Sequence, residues 1–125
     1  MTIALTTQQI TDAYGASWGE PDVAKRRTLL EQAWADDATY TDPQSDVTGR
    51  DGLIELISGF QAQANGAKIV ATSAVDEHHG KIRFTWIMQA ADGSTMMEGI
   101  DFGELAPDGR IQKIVGFFGP TTPVP

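Results

Sequence analysis

The chain has 125 residues, 41% of them hydrophobic and 21% charged, a size and balance suited to one domain with one core. Its net charge of −8 argues against a nucleic-acid partner, which needs clustered Lys and Arg, and the basic stretch Lys25-Arg26-Arg27 reads as a solvated helix face. The absence of cysteine excludes disulfides and thiolate chemistry and suits a cytoplasmic location; Met1-Thr2-Ile3-Ala4-Leu5 does not read as a signal peptide, and no run approaches the roughly 20 apolar residues of a membrane span.

A first helix opens at Thr6 or Thr7 and carries Ile10, Tyr14 and Trp18 on one stripe before Gly19-Glu20-Pro21 stops it. Asp22 caps a second helix, with Val23, Leu30, Ala33 and Trp34 facing inward. Thr39-Tyr40-Thr41 is a short extended piece ended by Asp42-Pro43, and a polar loop follows. A third helix over roughly residues 51–63 aligns Leu53, Leu56, Ile57 and Phe60, then ends at Asn65-Gly66.

The remainder reads as strand. Residues 68–76 form one long run, with a turn at His78-His79-Gly80. Residues 81–90 alternate, placing Ile82, Phe84, Trp86 and Met88 on one face. Asp92-Gly93 marks a hairpin into residues 94–105, and Pro107-Asp108-Gly109 turns the chain into a last strand over 111–118. Residues 120–125 are an extended tail. The order implies an α+β domain over 6–119: three N-terminal helices on a curved, mainly antiparallel sheet, forming a cone with an internal pocket.

Within the sheet, Asp101 stands out. Strand alternation puts it on the face of Met97, Gly99, Gly103 and Leu105, and the two glycines are expected to leave space beside it. A carboxyl in apolar surroundings must be paired, protonated or wet. Two readings stay open: a neutral hydrogen-bond donor to a ligand oxygen, or a structural acceptor that shapes the strand.

The element order, with Ala35-Asp36-Asp37-Ala38-Thr39-Tyr40-Thr41-Asp42-Pro43 and Gly99-Ile100-Asp101-Phe102, resembles the nuclear transport factor two-like superfamily, and within it the SnoaL-like small bacterial proteins. Ketosteroid isomerases of this superfamily use an Asp-Pro aspartate to shuttle a proton. A first-helix tyrosine and a protonated strand aspartate hold the oxyanion. The resemblance carries these roles to Asp42, Tyr14 and Asp101, with no cofactor and no metal. Epoxide hydrolases and polyketide cyclases of similar fold place an acid on the last strand, which here reads Ile114-Val115-Gly116-Phe117-Phe118. That mismatch removes both templates.

Each role has a plainer counterpart: turn chemistry for Asp42 before Pro43, and a core tyrosine for Tyr14. Trp18, Trp34, Phe60, Phe84, Trp86, Met88, Met97 and Phe118 are expected to line a site for an apolar small molecule, with plain core as the alternative. His78 and His79 are expected to be exposed turn residues. The expected function is small-molecule binding with proton transfer next to a carbonyl. The alternatives are a non-catalytic binding protein and a dimeric interaction module, and the resemblance implies a homodimer.

Overall fold

The computed structural model describes residues 4–125; Met1, Thr2 and Ile3, part of the stretch read for a signal peptide, lie outside the described residues. Helix α1 (Thr7–Ser17) starts at a capping box: Thr6 Oγ1 accepts from the Gln9 backbone, and the Gln9 side chain accepts from the Thr6 backbone. Helix α2 (Val23–Ala33) is capped by Asp22, which accepts from the backbone of Ala24 and Lys25. Strands β1 (Trp34–Asp42) and β2 (Ser45–Thr48) precede α3 (Gly49–Gln63). Then come β3 (Lys68–Ala71), β4 (Asp76–His78), β5 (Lys81–Gln89), β6 (Thr95–Leu105) and β7 (Ile111–Phe118).

The seven strands make one mixed, open sheet in the order β2-β1-β7-β6-β5-β3, with β4 also on β5. Pairing is antiparallel except between β1 and β7. The architecture is therefore α+β as expected, three helices against a curved sheet. Ile10 and Tyr14 of α1, Leu30 and Ala33 of α2, and Leu53, Ile54 and Ile57 of α3 pack with Trp34, Ala38, Ile82, Phe84, Ile111 and Ile114 from the sheet. No helix among the described residues is long and apolar enough to cross a membrane.

Four local expectations are corrected. Helix α2 ends at Ala33, because Trp34 already has extended φ and ψ, so Trp34 is buried from a strand. The supposed polar loop after Pro43 contains β2, an edge strand whose polar residues hid it, paired with β1 through Tyr40↔Val47 and Thr41↔Asp46. The run over 68–76 breaks into β3 and β4, and the intervening Ser73 and Val75 bond to Thr85 and to the Gln8 side chain of α1. On α2, Val23 is exposed and Arg26 takes the inward place, giving a buried stripe of Arg26, Leu30 and Ala33.

Arg26 is 1% exposed, not solvated. Its guanidinium donates twice to the Glu20 carbonyl (2.9 and 3.2 Å), to Ser58 Oγ and Gln61 Oε1 (both 2.7 Å), and to the Ile54 carbonyl (3.4 Å). No carboxylate lies within ion-pair distance among the described residues. The planar fork distributes the buried charge over neutral acceptors, each bond strengthened by that charge. Gln61 then donates to the Trp18 and Glu20 carbonyls, so one side chain ties the α1–α2 junction to α3. Replacing Arg26 by Ala is expected to lower stability by about 3 kcal/mol or more, since buried acceptors lose their donors. Arg26→Lys is expected to recover only part of the loss in urea unfolding.

Candidate functional site

Two aspartates flank a glycine on the inner face of the sheet. Asp101 of β6 pairs with Gly116 of β7. On the other side of β7, the β1 register runs through Thr41↔Val115, which brings Asp42 beside the same glycine. Adjacent strands lie roughly 4.8 Å apart, so the two aspartates start from backbones about 10 Å apart with an empty Cβ position between them. A Cβ added to Gly116 would lie 2.8 Å from Asp101 Oδ1 and 3.6 Å from Asp42 Cβ. Any side chain there would displace the Asp101 carboxyl.

Asp101 is 5% exposed, and its Oδ1 accepts the Trp86 indole N–H at 3.1 Å. Burial pushes its pKa up from 3.8 to about 6; the Trp86 donor opposes the rise and the nearby Asp42 charge adds to it. The expected space beside Asp101 is corrected. Trp86 pairs with Gly99, and its ring occupies the room that the missing side chain leaves. The gap at Gly103 is filled by Ile82, Ile114 and the Lys113 carbonyl. The open side of Asp101 comes instead from Gly116, on the next strand.

Asp42 makes the turn contact expected before Pro43 and also borders the cavity. Its Oδ1 accepts from the Gln44 backbone at 2.8 Å, closing the turn after Pro43. Its Oδ2 accepts from the Tyr40 hydroxyl at 2.7 Å, and the residue lines the cavity. Tyr14 is buried, stacked on Trp34 at 5.5 Å and edge-on to Phe84 at 6.2 Å. Burial, then the charge of Asp101, drives the Tyr14 pKa well above its ordinary value, so its hydroxyl remains a donor at neutral pH.

Tyr14, Asp42 and Asp101 all border one cavity of ≈ 1340 Å³ that opens to solvent between the helices and the sheet. Trp18 and Phe60 border it from the helical side, their rings 5.7 Å apart. Phe84, Trp86 and Met88 border it from β5, Met97 from β6 and Phe118 from β7. Trp34 does not. It is fully buried behind Tyr14 and supports that ring rather than the cavity wall. Tyr40 was not anticipated as a site residue, although strand alternation already placed it on the face of Asp42. His78 and His79 are exposed at the β4–β5 turn, and no group of three or more His, Asp or Glu among the described residues is arranged to hold a metal ion.

A family model described as a SnoaL-like domain matches residues 12–114. A solved structure from Agrobacterium tumefaciens, of the SnoaL-like family and provisionally named an isomerase, is 33% identical with a TM-score of 0.84, covering 92% of this chain and 100% of that one. A protein of unknown function with a cystatin-like fold from Methylobium petroleophilum has a TM-score of 0.75 at 13% identity, covering 97% of this chain and 82% of its own. A nuclear transport factor two-like protein of unknown function from Cytophaga hutchinsonii has a TM-score of 0.70 at 13% identity, covering 96% of each chain. The last two likenesses bear on fold alone. None of the curated proteins compared matches the chain.

The raised pKa of Asp101 has a consequence for stability. Between 3.8 and about 6 the folded chain keeps a proton that the unfolded chain releases, so stability falls as pH rises through this window. The full loss above about pH 6 is on the order of 3 kcal/mol. Asp101→Asn keeps an acceptor for Trp86 but carries no charge. It is expected to flatten that pH dependence and to be more stable than the wild type at pH 8, as read from urea unfolding across pH 4–8.

Proposed function

The chain belongs to the SnoaL-like domain family, and from its site geometry we propose that it is a cofactor-free isomerase, moving a proton at a carbon next to a carbonyl of an uncharged, mainly apolar small molecule. The observation that carries this reading is the placement of Asp42 and Asp101 on either side of Gly116 in a cavity that Tyr14 also borders. The carbonyl oxygen sits against Tyr14 and Asp101, each donating a hydrogen bond. Asp42 accepts the proton as the C–H bond breaks, the electrons move into an enolate, and the same proton returns at a different carbon. No net proton, electron or cofactor is consumed. Preorganised donors at a developing oxyanion are each worth about 3–4 kcal/mol where water is excluded.

Two further observations support this reading. Asp101, with its pKa near 6, can be held neutral once a ligand displaces water, as the donor role requires. Around the cavity, Asp12, Asp42, Glu55, Asp92 and Asp101 face one ammonium, Lys68, a balance that disfavours phosphate or carboxylate ligands. The isomerase name of the Agrobacterium relative agrees with the reaction class.

The test is deuterium exchange and double-bond migration in a bicyclic β,γ-unsaturated ketone, followed by NMR in deuterated buffer. Asp42→Asn is expected to lower the rate by about 10³-fold or more, and Asp101→Asn by about tenfold, since an amide still donates. Wild-type affinity for the saturated ketone is expected to fall as pH rises through about 6, where Asp101 loses its proton. Ketone binding without exchange would leave a non-catalytic binding protein. Equal rates in wild type and Asp42→Asn would refute Asp42 as the base.

The sheet's outer face suits a second copy of the chain. Phe102 and Phe117 are 43% and 55% exposed and meet edge to face at 6.3 Å, with the Lys81–Glu104 ion pair on the same sheet. Phe117→Asp is expected to convert a homodimer to a monomer in light scattering at micromolar concentration, leaving circular dichroism unchanged.

A further inference from the structure

We propose that Tyr40 is a positioning residue for Asp42, fixing the plane of its carboxylate so that a free lone pair stays aimed into the cavity. The role rests on the proton-transfer reading above and adds a residue to it. Tyr40 and Asp42 are two apart on β1 and so share a face. The Tyr40 ring is 4% exposed and lies against Trp18, centroids 5.6 Å apart and tilted by 51°. Packing therefore holds the phenol where its hydroxyl meets Asp42 Oδ2 at 2.7 Å.

The second hold comes from the turn. Gln44 donates its backbone N–H to the other oxygen, Oδ1, at 2.8 Å. A carboxylate has about four lone-pair sites, and these two donors occupy one on each oxygen. Rotation about Cβ–Cγ would break both bonds, so the carboxyl plane is set while two acceptor sites stay free. This restraint matters at the end of β1, where the chain turns through exposed Pro43 and Gln44 and Asp42 itself is only half-buried. A single backbone bond would leave the base able to swing towards water. Burial and the bond to Asp42 keep the phenol protonated, so Tyr40 donates to the base and does not compete with it.

The experiment uses Tyr40→Phe, which removes one oxygen and keeps the ring against Trp18. With the bicyclic ketone above as probe, kcat is expected to fall about 10- to 100-fold with KM within about twofold, the pattern of a misaimed catalytic group. In wild-type protein, proton NMR is expected to show a tyrosine hydroxyl resonance protected from solvent exchange, lost in both Tyr40→Phe and Asp42→Ala. Urea unfolding of Tyr40→Phe establishes that the variant compared is folded. An unchanged kcat in the folded variant overturns the role, as does a loss carried entirely by KM, which would make Tyr40 a wall of the cavity. Absence of that hydroxyl signal in the wild type also overturns it. No exchange by the wild type overturns the proton-transfer reading and this role together, whereas exchange with an unaffected Tyr40→Phe overturns this role alone.

Discussion

The site depends on two places where the sheet has no Cβ. At Gly99 the indole of Trp86 settles into the gap, which brings its N–H within reach of Asp101 on the same strand pair. At Gly116, on the neighbouring strand, the gap takes the Asp101 carboxyl from one side and lies against the Asp42 Cβ on the other. Neither glycine has a positive φ, so backbone freedom is not what either position requires. Their shared property is absence of bulk. One absence is filled by an aromatic ring and the other by polar groups, and Asp101 lies between them with its proton affinity raised by the resulting burial.

The helical side of the cavity rests on a different device. Trp18 and Phe60 belong to separate helical elements, and their relative placement follows from the Arg26 network that joins the end of α1, the body of α2 and the middle of α3. A buried cation without a carboxylate is an expensive way to join three helices if stability alone mattered. Its directional donors specify a geometry that apolar contacts would leave loose. Trp18 then packs on Tyr40, so order in the helical layer reaches the polar floor through one aromatic contact.

Much of this could be read from the sequence where period-two alternation is strict. The faces of Phe84, Trp86 and Met88 and of Asp101 follow from counting along a strand, and the hairpin at Asp92-Gly93 joins those strands. What filled the spaces could not be counted. The cross-strand match of Trp86 with Gly99 depends on a register that shifts between Met88 and Gln89, and a propensity rule gives no such detail. Arg26 was hidden because a basic triplet normally marks a wet surface, even though its spacing to Leu30 and Ala33 is that of a buried stripe. Trp34 fits the apolar spacing of α2, and only its extended backbone shows that it begins a strand. The last strand, read as lacking the acid that two related mechanisms need, contributes the clearing that takes the Asp101 carboxyl and borders Asp42.

The parallel pairing of β1 with β7 places the site late in the assembly of the chain. Asp42 lies on a strand near the start of the sheet region and Asp101 on the penultimate one; the segment that sits between them is the last strand of all. The two antiparallel neighbours of Asp101 can zip from local turns, but β1 must wait for a partner more than half the chain away. A nascent chain that has not yet released β7 therefore has both carboxyls and no means of bringing them together. The site is a property of the completed sheet, and it arrives with the strand that contributes no carboxyl of its own.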